Sequence, residues 1–255
     1  MTNILEVDAI HTFIGQFHIL EGVSLAVPAG SITALLGRNG AGKTTTLRSI
    51  IGLNAPRSGR IAFEGSDIHG KTAYAIASLG IGYVPEYRAI FRALTVEENL
   101  RIAERSKKDL ARRSDLIFGL FPDLKRFYKL PGGQLSGGQQ QMLAIARALV
   151  PENRLLLIDE PSEGLAPILI ESIVDALRQL SAHATILLVE QNFRMASILA
   201  DRYYILDDGQ SVHAGQMADL VQNRELISRY LGAGYAAAVA APESPAVMPT
   251  AQQGA

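Results

Sequence analysis

A glycine-rich segment carries the strongest chemical signal in this chain. Residues Gly37 to Thr44 read GRNGAGKT and fit the pattern G-x-x-x-x-G-K-[ST]. Such a loop turns its backbone N–H groups inward, and with the positive end of the following helix these donors surround a polyphosphate. Lys43 would reach the β- and γ-phosphates, and the Thr44 hydroxyl would hold Mg²⁺. A turn that merely caps a helix is disfavoured, because a strand-like run precedes the loop and a helix-like run follows it.

Two acidic residues stand directly after an apolar strand pattern further along the chain. The run Leu155 to Ile158 is followed by Asp159 and Glu160. In a protein with a phosphate loop, the first acid supports Mg²⁺ at the carboxyl end of the strand, and the second orients or deprotonates the attacking water. An acid-rich turn at a strand end is the structural alternative. The phosphate loop upstream favours the catalytic interpretation.

A serine and two glycines open another helical pattern. Ser136, Gly137, Gly138 and Gln139 precede apolar residues at helical spacing as far as Leu149. The serine hydroxyl and the free N–H groups of a helix N-terminus offer a second candidate anion site. In the structural interpretation, Ser136 is only an N-cap. The order of the three motifs favours the anion site.

The elements that must position these motifs alternate between strand-like and helix-like patterns. This alternation predicts a parallel sheet covered by helices on both faces. The segment from about 87 to 149 is rich in helical patterns and is predicted as a subdomain, including a helix from Thr95 to about Leu120. A last helix is predicted over 217–231. Residues 233–255 are rich in Ala and Pro and are predicted to form a disordered tail.

Composition excludes several kinds of chemistry. The chain has 255 residues, no cysteine and a formal net charge of −1. Disulfides and cysteine-based metal or redox sites are therefore excluded, and no global basic field directs the chain to nucleic acid. The N-terminus lacks the pattern of a secretion signal, and no apolar run approaches the ~20 residues needed to span a bilayer. If the protein works at a membrane, another protein is expected to provide the span.

With these motifs in this order, the chain resembles the ATP-binding cassette (ABC) ATPases from about Leu5 to Leu231. The run LSGGQ followed by QQMLAIARAL carries the resemblance and separates this family from kinases, GTPases and helicases. It implies an α/β fold of the P-loop NTPase type, with a mostly parallel central sheet, an N-terminal antiparallel β part and an inserted helical subdomain. One nucleotide-binding domain would cover residues 1–232. It also implies an ATP hydrolase that dimerises head to tail around ATP.

The resemblance assigns roles to particular residues, with ATP and Mg²⁺ as the implied ligands. The implied ATP-binding residues are Gly37, Arg38, Asn39, Gly40, Ala41, Gly42, Lys43, Thr44, Thr45 and Phe13. The implied catalytic residues are Glu160, Gln191 and Lys43, and the implied metal ligands are Thr44, Asp159 and Glu86. The implied contacts to the γ-phosphate of the other subunit come from Ser136, Gly137, Gly138 and Gln139.

Three positions depart from the common family pattern. Glu86 replaces the usual Gln; it could bind the metal with an added negative charge, or be a surface carboxylate. Gln191 replaces the usual His, so its amide can donate to a phosphate oxygen but cannot become cationic. Ile14 occupies the usual aromatic position against adenine. Either Phe13 substitutes for that aromatic residue, or Ile14 supplies only apolar contact.

The segment from Pro161 to Pro167 also lacks the usual Leu-Asp ending. Together with Glu86, Gln191, LTVEENL from Leu94 to Leu100 and the ending Tyr230-Leu231-Gly232, it resembles the LivF-type ATPases of branched-chain amino-acid importers. The resemblance implies a cytoplasmic protein at the inner face of the plasma membrane, partnered by permease subunits, a second ABC ATPase subunit in a homo- or heterodimer, and indirectly a periplasmic solute-binding protein. An importer of another small polar solute, such as urea or short amides, is the alternative. A soluble ABC machine is less favoured, because such proteins typically carry two cassettes, a coiled-coil insert or cysteines.

Overall fold

The computed structural model describes residues 2–232 of the chain. In chain order, the elements before the helical segment are β1 (Asn3–Ile14), β2 (Phe17–Pro28), β3 (Ile32–Leu36), α1 (Lys43–Ile50), β4 (Ser58–Phe63), β5 (Ser66–Asp67), α2 (Ala73–Ser78) and β6 (Ile81–Val84). The helical segment contains α3 (Val96–Arg101), α4 (Asp109–Leu120), α5 (Pro122–Arg126), a 3₁₀ turn (Gly132–Gln134) and α6 (Gly137–Leu149). The remaining elements are β7 (Leu155–Asp159), α7 (Pro167–Leu180), β8 (Thr185–Val189), α8 (Phe193–Leu199), β9 (Arg202–Asp207), β10 (Gln210–Gln216), α9 (Met217–Gln222) and α10 (Arg224–Tyr230).

Two sheets organise these elements. The first is antiparallel, with the strand order β2-β1-β4-β5. The second has the order β10-β9-β3-β8-β7-β6 and is parallel except for the edge pair of β9 and β10. The predicted α/β fold class is therefore confirmed. Helices α3 to α6 follow β6 and precede β7, where the inserted helical segment is predicted.

The central sheet separates two hydrophobic cores. In β8, Ile186 and Leu188 pack into the core that contains the helices α3 to α10, whereas Leu187 and Val189 pack into the core shared with the antiparallel sheet and α1. Successive side chains of a strand point to opposite faces of a sheet. Both faces of β8 are therefore buried against apolar side chains, which explains the continuous apolar sequence of this strand. None of the helices formed by residues 2–232 has the length and hydropathy of a membrane-spanning segment.

The turn between β9 and β10 joins the two sheets beside the glycine-rich loop. The N–H of Gly209 donates to the carbonyl oxygen of Ala41 at 3.1 Å, and the carbonyl of Gly209 accepts from the N–H of Glu21 at 2.7 Å. A Cβ atom at Gly209 would lie 2.2 Å from the carbonyl oxygen of Ile19. The turn thus touches the phosphate loop and the first hairpin at a distance that only glycine permits.

Two of the predicted helices are interrupted. The segment 95–120 divides into α3 and α4, because Oδ2 of Asp109 accepts from the N–H groups of Arg105 and Ser106 at 3.0 and 2.7 Å and so folds the intervening chain into a turn. The segment 217–231 divides at Asn223, whose Oδ1 accepts from the N–H of Leu226 at 3.0 Å and caps α10. The predicted tail, 233–255, lies outside the described residues.

Candidate nucleotide-binding site

Strand β3 and helix α1 hold the glycine-rich loop between them. All residues of β3 are buried, and the loop begins at Gly37, where a Cβ atom would lie 2.4 Å from the carbonyl oxygen of Leu206. Helix α1 starts after Gly42, and no side chain caps its N-terminus. The first N–H groups of α1 therefore face the loop without a competing side-chain acceptor, which is the arrangement that binds phosphate at a helix N-terminus.

Lys43 is buried inside the loop. Its Nζ donates to the carbonyl oxygens of Gly37 and Arg38 at 2.9 and 3.1 Å. The same Nζ lies 3.1 Å from Oε1 of Glu160. Lys43 is 4% exposed and Glu160 is 9% exposed, so water screens this ion pair little. The structure thus places two predicted catalytic residues in direct contact.

The backbone of Glu160 is held in the left-handed region, with a φ of 42°. For a residue other than glycine this conformation costs on the order of 1–3 kcal/mol, and it persists only where the surroundings enforce it. The N–H of Glu160 donates to the carbonyl of Val189 at 2.9 Å, and its own carbonyl accepts from the N–H of Glu163 at 3.1 Å. Glu160 therefore opens a strained turn beside the end of β8.

Asp159 ends β7 and is fully buried. Its Oδ1 accepts from the hydroxyl of Thr44 at 3.1 Å, and its Oδ2 accepts from the hydroxyl of Tyr83 at 3.2 Å. Burial raises the pKa of Asp159 to about 6, although both hydrogen bonds oppose the shift. Burial and the neighbouring Asp159 raise the pKa of Tyr83 well above its ordinary value, so the hydroxyl keeps the proton that it donates. Two predicted metal ligands, Thr44 and Asp159, are thus adjacent.

A cavity of about 410 Å³ lies over the loop. This volume is within the range of ligand pockets in proteins. The cavity is lined by Asn39, Gly40, Gly42, Lys43, Thr44, Thr45, Ile14, Ile19, Glu86, Glu160 and Glu163. Most of these residues are predicted from the sequence motifs. Ile19 and Glu163 are not, and neither is Tyr83 behind Asp159, because no residue pattern distinguishes them from ordinary strand or turn residues.

Phe13 does not line this cavity. Its ring stacks on His18 with the centroids 4.1 Å apart, and the guanidinium carbon of Arg57 lies 3.9 Å from the ring centroid. Two groups this close cannot share one face of the ring, so both faces are covered. The prediction that Phe13 stacks on adenine therefore does not fit this structure. Ile14 is 46% exposed and lines the cavity, which favours the alternative of apolar contact.

The segment after β6 connects the cavity to helix α6. Glu86 lines the cavity, and the next residues include Arg88 and Ala89, both with left-handed backbones at φ values of 64° and 49°. Arg147 of α6 donates to the carbonyl of Ala89 at 2.7 Å. A Cβ atom on Gly137 would lie 3.4 Å from Nη1 of Arg88. The strained segment is therefore held against the helix that carries the Ser-Gly-Gly motif.

The Ser-Gly-Gly motif and Gln191 do not reach the cavity within one chain. Ser136 is the N-cap of α6: its Oγ accepts from the N–H of Gln139 at 3.3 Å, and Oε1 of Gln139 accepts from the N–H of Ser136 at 3.0 Å. Gln191 is exposed after the end of β8. The roles expected of these residues in a dimer therefore stay predictions.

Glu190, next to Gln191, is only 1% exposed. Its carboxylate accepts from the N–H and the hydroxyl of Ser162 at 3.1 and 3.0 Å, and from the N–H of Asn192 at 3.0 Å. Burial raises the pKa of Glu190 to about 7, while these hydrogen bonds oppose the shift. One buried carboxylate thus connects the turn after β7 with the segment after β8.

Comparison with known proteins agrees with this architecture. The family model described as "ABC transporter" matches residues 20–163 of the chain. The chain therefore belongs to the ABC transporter family, as an ATP-binding and ATP-hydrolysing subunit. BraG of Pseudomonas aeruginosa, a high-affinity branched-chain amino acid transport ATP-binding protein, is 43% identical over 231 residues, covering 89% of this chain and 99% of BraG. LivF of Archaeoglobus fulgidus, a probable branched-chain amino acid transport ATP-binding protein, is 38% identical over 221 residues, covering 85% and 94%.

Solved structures of ATP-binding cassettes share the fold. MJ1267, an ATP-binding cassette of an ABC transporter, matches with a TM-score of 0.79 and 26% identity, covering 89% of this chain and 98% of that chain. A dimeric post-hydrolysis state of the cassette MJ0796, bound to ADP and Pi, matches with a TM-score of 0.74 and 25% identity, covering 84% and 98%. The fold of this chain is thus that of a nucleotide-binding cassette.

Replacing Glu190 with glutamine should change how stability depends on pH. The pKa of about 7 in the folded state exceeds the ordinary value of 4.5. Between these values the folded state binds more protons than the unfolded state, so the wild-type free energy of unfolding falls as pH rises. The Glu190→Gln variant lacks this loss. The free energy of unfolding of the variant relative to that of wild type should therefore increase by on the order of 2 kcal/mol from about pH 5 to about pH 8. Urea titrations at several pH values measure this change.

The exposed Glu152 supplies the matched control. A Glu152→Gln variant should follow the wild-type pH dependence throughout. A stability difference between wild type and Glu190→Gln that does not vary with pH would contradict the shifted pKa of Glu190.

Proposed function

We propose that this chain is the ATP-hydrolysing subunit of an importer for branched-chain amino acids. The observation that carries the solute class is the similarity to BraG along 89% of this chain and 99% of BraG, together with the similarity to LivF. The chain would bind to separate permease subunits on the cytoplasmic face of the plasma membrane. A second ABC ATPase subunit, identical or paralogous, would complete the dimer. A periplasmic solute-binding protein would deliver the amino acid to the permease.

In the proposed site, the triphosphate of ATP lies in the cavity over the glycine-rich loop. The loop N–H groups and Lys43 bind the β- and γ-phosphates. Because Lys43 is buried, its charge needs a negative partner whether or not ATP is bound. Glu160 is that partner in this structure, and phosphate oxygens would replace it. The carboxylate of Glu160 then becomes available to a water molecule.

The oxygen atoms beside the loop suit Mg²⁺. Thr44 and Asp159 would hold the ion, and Glu86 offers a further carboxylate from the same cavity. Bound Mg²⁺ would neutralise charge on the phosphate oxygens. Tyr83 occupies one oxygen of Asp159 by hydrogen bonding. This contact orients the carboxylate so that its other oxygen faces Thr44.

The proposed chemistry is direct transfer of the γ-phosphoryl group to water. Glu160 orients the water and accepts its proton as the oxygen–phosphorus bond forms. The bond to the bridging β–γ oxygen breaks, and ADP leaves with that oxygen. Lys43 and the loop N–H groups stabilise the charge that spreads over the phosphoryl oxygens. The Ser136–Gln139 motif of the second subunit would complete the donors around this group, and the Gln191 amide would orient it.

ATP binding would close the dimer, and hydrolysis would open it again. Closure removes the charged phosphate from water, so donors from both subunits must replace its hydration. Loss of the γ-phosphate removes the group that both subunits hold. The segment after β6 contacts the cavity through Glu86 and α6 through Ala89, so it is suited to carry this change towards the permease.

Uptake of labelled leucine tests the proposed solute. Vesicles containing this chain, its co-purified permease and the binding protein should accumulate leucine, isoleucine and valine when ATP is supplied inside. A Glu160→Gln variant should abolish uptake, whereas Glu152→Gln should not. Uptake of urea or acetamide in place of leucine would contradict the amino-acid assignment and leave the ATPase assignment intact.

The Lys43→Ala variant should lose affinity for ATP. Removal of a charge-assisted hydrogen bond to phosphate costs about 1.5–3 kcal/mol, which corresponds to about 10- to 100-fold weaker binding. Isothermal titration with Mg-ATP measures the effect. A Lys107→Ala variant, altered at an exposed lysine, should bind as wild type does. Equal affinities of the two variants would refute the phosphate role of Lys43.

Alanine variants of Phe13 and Ile14 should differ in their affinity for ATP. Both faces of the Phe13 ring are already covered, so Phe13→Ala should change affinity by less than about twofold. Ile14 lines the cavity, and the loss of about 1 kcal/mol of apolar contact should weaken binding about fivefold. Titration with a non-hydrolysable ATP analogue measures both constants. The reverse order of effects would restore Phe13 as the adenine contact.

A further inference from the structure

The strained turn that carries Glu160 has an anchor on the neighbouring strand. Glu160, Ser162 and Glu163 belong to one turn, closed by the hydrogen bond from the N–H of Glu163 to the carbonyl of Glu160. The N–H of Ser162 donates to Oε1 of Glu190, and the hydroxyl of Ser162 donates to Oε2. Both oxygens of Glu190 therefore hold the residue two positions after Glu160.

The same carboxylate also holds the segment that carries Gln191. Oε2 of Glu190 accepts from the N–H of Asn192 at 3.0 Å. Gln191 lies between Glu190 and Asn192, so this bond closes a short loop around it. Glu160 follows strand β7, and Gln191 follows strand β8. The N–H of Glu160 bonds to the carbonyl of Val189 at the strand ends, and the Glu190 carboxylate joins the two segments beyond them.

The contact is made by a carboxyl group whose hydrogen-bond partners are uncharged. Within residues 2–232, no Lys, Arg or His forms an ion pair with Glu190. Two backbone N–H groups and one hydroxyl satisfy the carboxylate instead. An ionised carboxylate accepts several hydrogen bonds at once, whereas an amide has a single oxygen acceptor. In Glu190→Gln the side chain keeps one oxygen, and its NH2 group must face at least one of the three donors that the carboxylate accepts from.

We propose that Glu190 is a positioning residue that fixes Glu160 and Gln191 relative to each other for hydrolysis. The inference rests on the roles proposed above for those two residues. Without the carboxylate, the turn at Ser162 loses its anchor, and the left-handed backbone of Glu160 can relax. The Glu160 carboxylate then moves away from the attacking water. The phosphate-binding loop lies between β3 and α1, and bound phosphate takes the place of Glu160 beside Lys43, so ATP affinity should stay within about twofold of wild type.

Steady-state ATPase kinetics of Glu190→Gln, Ser162→Ala and the double variant test this proposal. Glu190→Gln should lower kcat by about 10- to 100-fold, as expected for a misplaced catalytic group, and leave KM for ATP within about twofold. Ser162→Ala loses the hydroxyl bond but keeps the backbone N–H bond to Glu190, so its kcat should fall less. The two changes disrupt one contact, so the double variant should be no slower than the slower single variant. Glu152→Gln is the matched control and should keep the wild-type kcat.

ATP titrations of the same variants separate positioning from folding. Wild-type ATP affinity with a lowered kcat shows that the loop is intact and supports the proposal. A wild-type kcat in Glu190→Gln, additive effects in the double variant, or a parallel loss of ATP affinity and kcat would each overturn it.

The Glu160→Gln variant distinguishes this inference from the proposed site. It should bind ATP and hydrolyse it slowly. If Glu160→Gln turns over as wild type does, the role of Glu160 fails, and the positioning role of Glu190 fails with it. If Glu160→Gln is inactive and Glu190→Gln has normal kcat, only the inference about Glu190 is overturned.

Discussion

The burial of charge at one edge of the parallel sheet is the constraint on which the site depends. Lys43, Asp159, Glu160 and Glu190 are each no more than 9% exposed. A charge removed from water is costly unless a partner or several hydrogen bonds compensate it. Lys43 and Glu160 compensate each other, and hydroxyl and N–H groups compensate the two remaining carboxylates. A ligand that enters must therefore exchange partners with these groups.

Sheet topology determines why these side chains meet. Strand β8 pairs in parallel with β3 on one side and with β7 on the other, so the carboxyl ends of all three lie at one edge. A different part of the site lies at the end of each strand. The phosphate loop follows β3, Asp159 and Glu160 stand at the end of β7, and Glu190 follows β8. The antiparallel sheet adds Ile14 and Ile19 from a hairpin across the same edge. Neither sheet alone would complete the cavity.

The parts that could be predicted from the sequence are those with a local cause. Strand β8 coincides with a continuous apolar run and helix α7 with apolar residues at helical spacing, patterns that require no distant partner. Strand β10 is polar and forms only against β9, so its sequence carries no comparable signal. The loop and the acid pair follow from motifs. The coverage of the Phe13 ring could not be predicted in this way. One of its faces is covered by Arg57, which comes close to Phe13 because β1 pairs with β4.

Gly209 has a consequence for how related sequences can vary. Gly209 lies between the first hairpin and the phosphate loop. An added Cβ atom would lie 2.2 Å from the carbonyl oxygen of Ile19, which is too short for a non-bonded contact. Even alanine would displace the hairpin and, with it, Ile19 at the wall of the cavity. Mutational tolerance at this remote turn should therefore be as low as within the loop itself, although no side chain of residue 209 takes part in chemistry.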